Sequence, residues 1–404
     1  MSEPLVIIGN GMAAARLVEE LAKRALGRHA IAVIGEEPRL AYNRVLLSSV
    51  LAGESEMADI ELKPADWWRD RGVTLLFGRK ARSVDLAKKR VTLESGESIF
   101  YSKLVFATGS RALRLPLPGA ELRGVCVFRD GADVDALKRM AAQRERIVVI
   151  GGGLLGLEAA YGLGKCGAKV TLVHVADRLM ERQLDAPAAA LLKQLIESKG
   201  IETLLEANTI RILGDGDVRG VELADGRRIA AEGVVLAAGI APNSELARDA
   251  GIETQKGIVV DDHMTTNIDD VFALGECAQH RGVCYGLVEP AYEQARVLAA
   301  RLSGESDVYE GSVVSTNLKV SGVSVFSAGD FLGRDGGETI SWRDLGLGLY
   351  KKLVIESGRL RGAVLVGDAS AALWYLELIR SRADISQWRD ALIFGRALCE
   401  RKAA

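Results

Sequence analysis

Short apolar runs closed by glycine turns recur along the chain, and two of them open a longer repeat. Leu5-Val6-Ile7-Ile8 runs into Gly9-Asn10-Gly11-Met12-Ala13-Ala14, and Ile147-Val148-Val149-Ile150 into Gly151-Gly152-Gly153-Leu154-Leu155-Gly156. Each copy is a short apolar, strand-like run, a glycine turn and a helical pattern. After the first turn, Ala14, Leu17, Val18, Leu21 and Ala25 line one helix face, and Gly27 offers a C-terminal cap. Each copy then enters a second strand: Ala30–Ile34 and then Glu36, or Lys169–Val173 and then His174. Strand, helix and strand make a βαβ unit, and the chain carries two.

Three more short runs end in small-residue turns. They are Leu104–Phe106 before Ala107-Thr108-Gly109, Val234–Leu236 before Ala237-Ala238-Gly239, and Val271–Leu274 before Gly275-Glu276. Pro290 then suits the first turn of a helix running to Leu302 and closed by Ser303-Gly304. Beyond 308, alternation at Val320, Val323 and Val325 and a hairpin over Leu353–Val366, turning at Ser357-Gly358, predict a small antiparallel sheet. Helical segments are expected from Ala369 and from Gln387. Boundaries near 112, 240 and 308 give an α/β chain of two Rossmann-like domains. One covers 1–112 and 241–308, the second (113–240) is inserted in it, and a small α+β domain covers 309–404.

Composition narrows the function. Among 404 residues, 52 Lys plus Arg balance 54 Asp plus Glu for a net charge of −2, which excludes a basic nucleic-acid binder. With 44 Gly against 8 Pro in an ordinary globular composition, the glycines point to phosphate-cradling turns rather than linkers. No apolar run approaches the roughly 20 residues of a membrane helix, and no basic segment at the N-terminus suggests a signal peptide. The five cysteines form no close pair, so structural disulfides are not expected and the cytoplasm is the expected compartment. The four histidines lack metal-ligand spacing, so no metal site is expected.

In Gly9-x-Gly11-x-x-Ala14, Gly9 permits the tight turn, Gly11 lets a pyrophosphate reach the backbone, and Ala14 allows close helix–strand packing. The intervening Met12 and Ala13 begin the helix whose N-terminal N–H groups face the anion. Glu36 is placed to accept hydrogen bonds from ribose hydroxyls. Gly151-x-Gly153-x-x-Gly156, with Leu155 inside it, repeats the pattern more strictly, but His174 stands where the acid belongs. A carboxylate would repel a 2′-phosphate whereas neutral imidazole would not, and Arg178 could attract one, so NADH and NADPH both stay open, NADH favoured. Two dinucleotide units need two dinucleotides, and a flavin plus a nicotinamide makes a redox relay.

The order of these turns, with Ala238-Gly239-Ile240-Ala241-Pro242 and Leu274-Gly275-Glu276, resembles the flavoprotein reductases of the glutathione-reductase-like fold. Longer strings resemble the N-terminal flavoprotein module of assimilatory NAD(P)H nitrite reductase large subunits. They include Tyr42-Asn43-Arg44-Val45-Leu46-Leu47-Ser48, Leu179–Asp185, Gly275–Gly282, Leu318–Val323 and Tyr350–Val354. The resemblance also extends to rubredoxin and ferredoxin reductases. Those nitrite reductases continue into iron–sulfur and sirohaem segments that this sequence does not contain, so nitrite reduction within these residues is not expected. The resemblance implies FAD in the first unit, with Glu36 at its ribose. Arg44, Ser48 and Arg129 would lie along its phosphate and flavin side, Gly275 and Glu276 at its ribityl–pyrophosphate region, and Ala81, Ala107, Thr108 and Gly109 are further cofactor-binding candidates. The helix near Pro290 would aim its N-terminus at the flavin's pyrimidine end. Gly239 would belong to the nicotinamide side, and Glu158 matches the family acid beside the nicotinamide carboxamide, the one catalytic candidate. Related rubredoxin and ferredoxin reductases carry a lysine right after the serine matching Ser48, where this chain has Ser49.

Plainer roles stand beside these. Glu158 could be a helix-dipole partner, Arg44 and Arg129 surface ion-pair residues, and His174 a strand end. Trp67-Trp68 and Trp374-Tyr375 read as packing, and Cys277 and Cys284 as inert thiols. The expectation is an FAD-dependent NAD(P)H reductase whose flavin passes electrons to a separate redox protein, plausibly of nitrate, nitrite or nitric oxide metabolism. It would be a monomer or homodimer with no nucleic-acid or membrane partner. The alternatives are a rubredoxin or ferredoxin reductase, an NADH oxidase using oxygen directly, or a redox-sensing flavoprotein.

Overall fold

The apolar runs before the glycine turns become the centres of two sheets with the same plan. In the computed structural model, which describes residues 2–320, 322–333 and 337–402, the chain divides into two units. The first comprises Met1–Leu47, Ser55–Ala112 and Ile240–Ser312, and the second Ser48–Glu54, Leu113–Gly239 and Val313–Ala404. The short excursion Ser48–Glu54 is not anticipated by a division at 112, 240 and 308.

In the first unit, Glu3–Ile8 sits between Lys103–Phe106 and His29–Gly35, flanked by Val271–Ala273 and Thr74–Phe77, all parallel. Leu5 through Ile8 are buried, as a strand covered on both faces must be. Helix Met12–Arg24 buries Ala14, Leu17, Val18 and Leu21, the face read from spacing. It ends at Ala25, with Gly27 two residues beyond at φ +82. Its neighbour is helix Val288–Ser303, which carries Pro290 in its first turn and ends at Gly304, φ +84. A three-stranded antiparallel sheet, Ala81–Asp85, Arg90–Leu93 and Ser98–Phe100, completes this unit's larger elements.

The second unit repeats the scheme. Arg146–Ile150 lies between Lys169–Val173 and Gly233–Leu236, with Glu202–Leu204 and Val125–Val127 outermost, again parallel throughout. A second antiparallel trio, Thr209–Asp215, Asp217–Leu223 and Arg228–Ala230, follows the same logic as the first. The repeat is thus deeper than the glycine turns alone suggest. The α/β class with two Rossmann-like folds holds.

Residues 315–366 add a five-stranded antiparallel sheet, Ser315–Val320, Val323–Gly329, Arg359–Val366, Leu349–Glu356 and Glu338–Asp344 in spatial order. The Leu353–Val366 hairpin turns at Ser357 (φ +50) and Gly358 (φ +69). Val323 and Val325 are buried; the Val320 side chain and Ser321 lie outside the described residues. Helix Ala372–Ser381 starts slightly later than the expected Ala369. The helix expected from Gln387 is absent as such. Single turns Ser386–Trp388 and Leu392–Phe394 stand there, and helix Arg396–Lys402 follows only after Gly395 at φ +91. The Tyr375 hydroxyl, donating to the Leu392 carbonyl at 2.7 Å, helps hold that turn in place of a continuous helix. Trp68 and Tyr375 are fully buried, as packing roles require.

Candidate functional site

The first glycine turn is fixed by backbone proximity. Gly9 sits at φ +115, and a Cβ there would lie 2.1 Å from the Ala107 carbonyl oxygen, so only glycine fits. Gly11, which caps helix Met12–Arg24, would present a Cβ to open space. That opening, above the free N–H groups of a helix start, is the room a pyrophosphate needs. The turn after Val271–Ala273 comes to the same place. A Cβ on Gly275 (φ +81) would lie 3.0 Å from the Ala13 Cβ, and the Gly275 N–H donates to buried Gln294 at 2.8 Å. Glu276 accepts from Ser110 at 2.7 Å. Thr108 donates to the Asn243 carbonyl at 2.6 Å, and the Asn243 amide returns a bond to the Thr108 carbonyl at 2.9 Å. Gly9, Gly11, Ala13, Ala107, Thr108 and Gly275 therefore share one end of one sheet. Ser110, Asn243 and Gln294, which support them, were not singled out from sequence because their partners are distant in the chain.

Other first-unit candidates stand around this end. Glu36, with its side chain 68% exposed, pairs with Lys80 at 2.9 Å. Arg44 is bound to the Glu37 carboxylate and lies over the Tyr42 ring, 5.2 Å from its centroid. Ala81 opens the first antiparallel strand opposite Leu93. Cys277 is buried beneath the turn, and burial pushes its thiol up, away from the reactive thiolate.

The second turn repeats the backbone device. Gly151 (φ +124) would bring a Cβ within 2.3 Å of the Ala237 carbonyl oxygen, and Gly156 within 1.8 Å of Gly151's own. Gly153, capping helix Leu154–Lys165, faces open space, as Gly11 does. Gly239 has φ +124, and its carbonyl accepts from Leu113 at 2.9 Å. Arg129 also belongs to this unit, next to the Asp130–Asp133 capping box, not to the unit with the first turn.

His174 differs from its counterpart Glu36 in every respect. It is 7% exposed, and its Nδ1 accepts the Gly152 N–H at 3.0 Å. That assigns the ring proton to Nε2, which donates to Glu181 at 3.1 Å. The Arg178 guanidinium donates twice to Asp177, at 3.0 and 3.1 Å. The carboxylate missing from the strand end thus arrives from seven residues further on. Glu181 lies inside the quoted Leu179–Asp185 string, and its position there was the only available signal.

Ser48 joins the second unit rather than the first. Residues 48–54 lie against helix Leu154–Lys165. The Ser48 hydroxyl bonds the Glu158 carboxyl. Leu51 meets Gly162, where a Cβ would lie 2.6 Å from Leu51 Cγ, and Leu51's carbonyl accepts from Cys166 Sγ at 3.2 Å. The Tyr161 hydroxyl donates to Glu54 at 3.2 Å. Glu158 is 6% exposed, and burial pushes its carboxyl up to about 8 against the opposing pull of Ser48.

Two parallel βαβ folds, each with a glycine turn that keeps room for a pyrophosphate, define an oxidoreductase built for two dinucleotides. Residues 3–301 match the pyridine nucleotide-disulphide oxidoreductase family, and the chain belongs to it. It is an FAD-containing, NAD(P)H-dependent reductase. Residues 315–383 match the rubredoxin NAD+ reductase C-terminal domain. The chain is 46% identical to a nitrite reductase (NAD(P)H) of Bacillus subtilis, across 95% of this chain and 48% of that protein. It is 33% identical to the ferredoxin reductase component of a chlorobenzene dioxygenase from Cupriavidus sp., across 97% and 96%. A ferredoxin reductase structure from Rhodopseudomonas palustris superposes with a TM-score of 0.85 at 27% identity, covering 95% of this chain and 98% of that one. The chain spans about half the length of the first nitrite reductases it matches. Despite the family's name, the sequence has no cysteine between Glu36 and Met57, and none of the five cysteines is in a disulfide. Among the described residues, no helix is long and apolar enough to cross a membrane, and no His/Cys/Asp/Glu group could hold a metal ion.

Proposed function

We propose that the chain takes reducing equivalents from NADH onto FAD and delivers them to a redox centre of nitrite or nitrate reduction outside these residues. The observation that carries this is the pair of open glycine cradles, one per unit, in a chain 46% identical to a nitrite reductase over 95% of its length. We assign the first unit, 1–112 and 241–308, to FAD, residues 113–240 to the nicotinamide dinucleotide, and 309–404 to a separate C-terminal α+β domain. Bound FAD supplies a two-electron acceptor that can release electrons singly. Gly9, Gly11, Met12, Ala13 and Ala14 hold its pyrophosphate, Glu36 its ribose, and Thr108, Gly275 and Glu276 keep the sheet end in shape around it. Gly151, Gly153, Leu155 and Gly156 cradle the second pyrophosphate.

NADH is preferred over NADPH for two reasons. Glu181, held by His174, puts negative charge beside the strand end where a 2′-phosphate would lie. Arg178, four residues after His174, is already engaged by Asp177. A second reading, reduction of a small ferredoxin or rubredoxin, is favoured by the match over residues 315–383.

An anaerobic titration with NADH and then NADPH tests the relay. About one equivalent of NADH should bleach the flavin band, with NADPH slower. Slow reoxidation in air, accelerated by a nitrite-reductase iron–sulfur protein but not by ferredoxin or rubredoxin, supports the acceptor assignment. Fast reoxidation in air alone makes the chain an oxidase and removes it.

A further inference from the structure

Glu158 is a buried acid, 6% exposed, and among the described residues no salt bridge reaches it. Among the described residues, the one group bearing on its carboxyl besides burial is the Ser48 hydroxyl. The ionisable groups on the surrounding elements are engaged elsewhere. On its own helix, Tyr161 donates to Glu54, and Lys165 lies over the Tyr161 ring at 5.5 Å. On helix Gly131–Gln143, Lys138 acts on Cys166. On the neighbouring strands, Arg146 pairs with Glu232 at 3.2 Å and Lys169 with Glu145. Lys199 approaches Tyr161, with Nζ 6.0 Å from the ring. Ser49, beside Ser48, brings no charge. The close seating of Leu51 on Gly162 shields the same side of the helix.

We propose that Ser48 and Glu158 form a charge-neutral hydrogen-bonded pair in the working enzyme, and that ionising the pair strengthens binding of oxidised over reduced nicotinamide dinucleotide. This rests on the reading that Glu158 borders the nicotinamide. The oxidised ring carries a positive charge and the reduced ring none, so a carboxylate in a low-dielectric site favours only the oxidised form. While the pair is neutral, the oxidised product gains no such attraction and leaves readily. Burial holds the carboxyl near 8, so the pair is neutral below that pH and becomes anionic above it. By linkage, binding the oxidised dinucleotide near neutral pH releases a proton from Glu158.

Infrared spectra of the flavin-loaded, nucleotide-free protein test the charge state directly. A protonated-carboxyl stretch should be present at about pH 6, vanish by about pH 10, and be missing from Glu158→Gln. Ser48→Ala should move its disappearance to higher pH, because the hydroxyl favours the ionised form. In parallel, NAD+ should bind on the order of tenfold more tightly at the higher pH, NADH by less than about twofold, and Glu158→Gln should bind both without pH dependence. Absence of the carboxyl band at about pH 6 overturns the neutral pair. A band that titrates while NAD+ affinity stays flat, or a pH dependence that survives in Glu158→Gln, overturns its link to the nicotinamide. Failure of NADH to bleach the flavin is a separate outcome, and it strikes the relay itself.

Discussion

The two glycine turns share a backbone plan but differ in how their carboxylates are supplied. In the first unit, Glu36 follows its strand directly and is exposed, paired with Lys80 across 2.9 Å. In the second, His174 is buried and bonds the turn itself through Gly152, and the acid is Glu181 beyond it. An exposed ion pair contributes little to stability, whereas a buried, fully used imidazole is part of the framework. On the proposed assignment of the two dinucleotides, one turn keeps recognition separate from folding, and the other merges them.

The largest expected effects test whether the two cradles act independently. Gly9→Ala and Gly151→Ala each force a Cβ onto a backbone carbonyl at positive φ, costing about 3 kcal/mol or more. Gly9→Ala should abolish flavin retention. Gly151→Ala should retain the yellow colour but lose NADH-dependent bleaching by more than about a hundredfold. Loss of flavin from both would remove the division of labour between the units.

His174→Ala comes next. It leaves the Gly152 N–H and Glu181 without their partner, and should lower stability by about 2 kcal/mol as well as weaken NADH. Thermal melts of the flavin-loaded protein read the first effect, and an unchanged melting temperature would separate His174 from the framework. Glu181→Gln should lower the NADH-to-NADPH ratio of kcat/KM by on the order of tenfold with little change in melting. An unaltered ratio would move the selectivity elsewhere. The smallest effect belongs to Glu36→Gln, expected to speed flavin loss by less than about tenfold and leave the melt unchanged. A large drop in melting temperature there would erase the contrast between the turns.

Much of this was legible in the sequence, for a physical reason. Glycine turns, strand ends and the Pro290–Gly304 helix are set by local conformational demands, which leave their mark within a few residues. The His174–Glu181 pair was not legible, because the six intervening residues decide whether the two side chains meet. The stretch after Gln387 misled for a related reason. Its helical pattern is local, but the buried Tyr375 hydroxyl takes the Leu392 carbonyl, and Gly395 breaks the run. The contact of Ser48 with Glu158 was hidden too, since a stretch read with the first fold lies along a helix of the second.

That stretch has a consequence for recombination. Residues 113–239 look like a cassette that could be exchanged between related reductases by crossovers at the two boundaries. Yet Ser48, Leu51 and Glu54 are matched position by position to Glu158, Gly162 and Tyr161. A chimera that imports a foreign helix without its own version of 48–54 inherits a steric and polar mismatch, so successful exchange requires the two crossovers at those boundaries to be coordinated with two more, flanking 48–54 within the first fold's sequence.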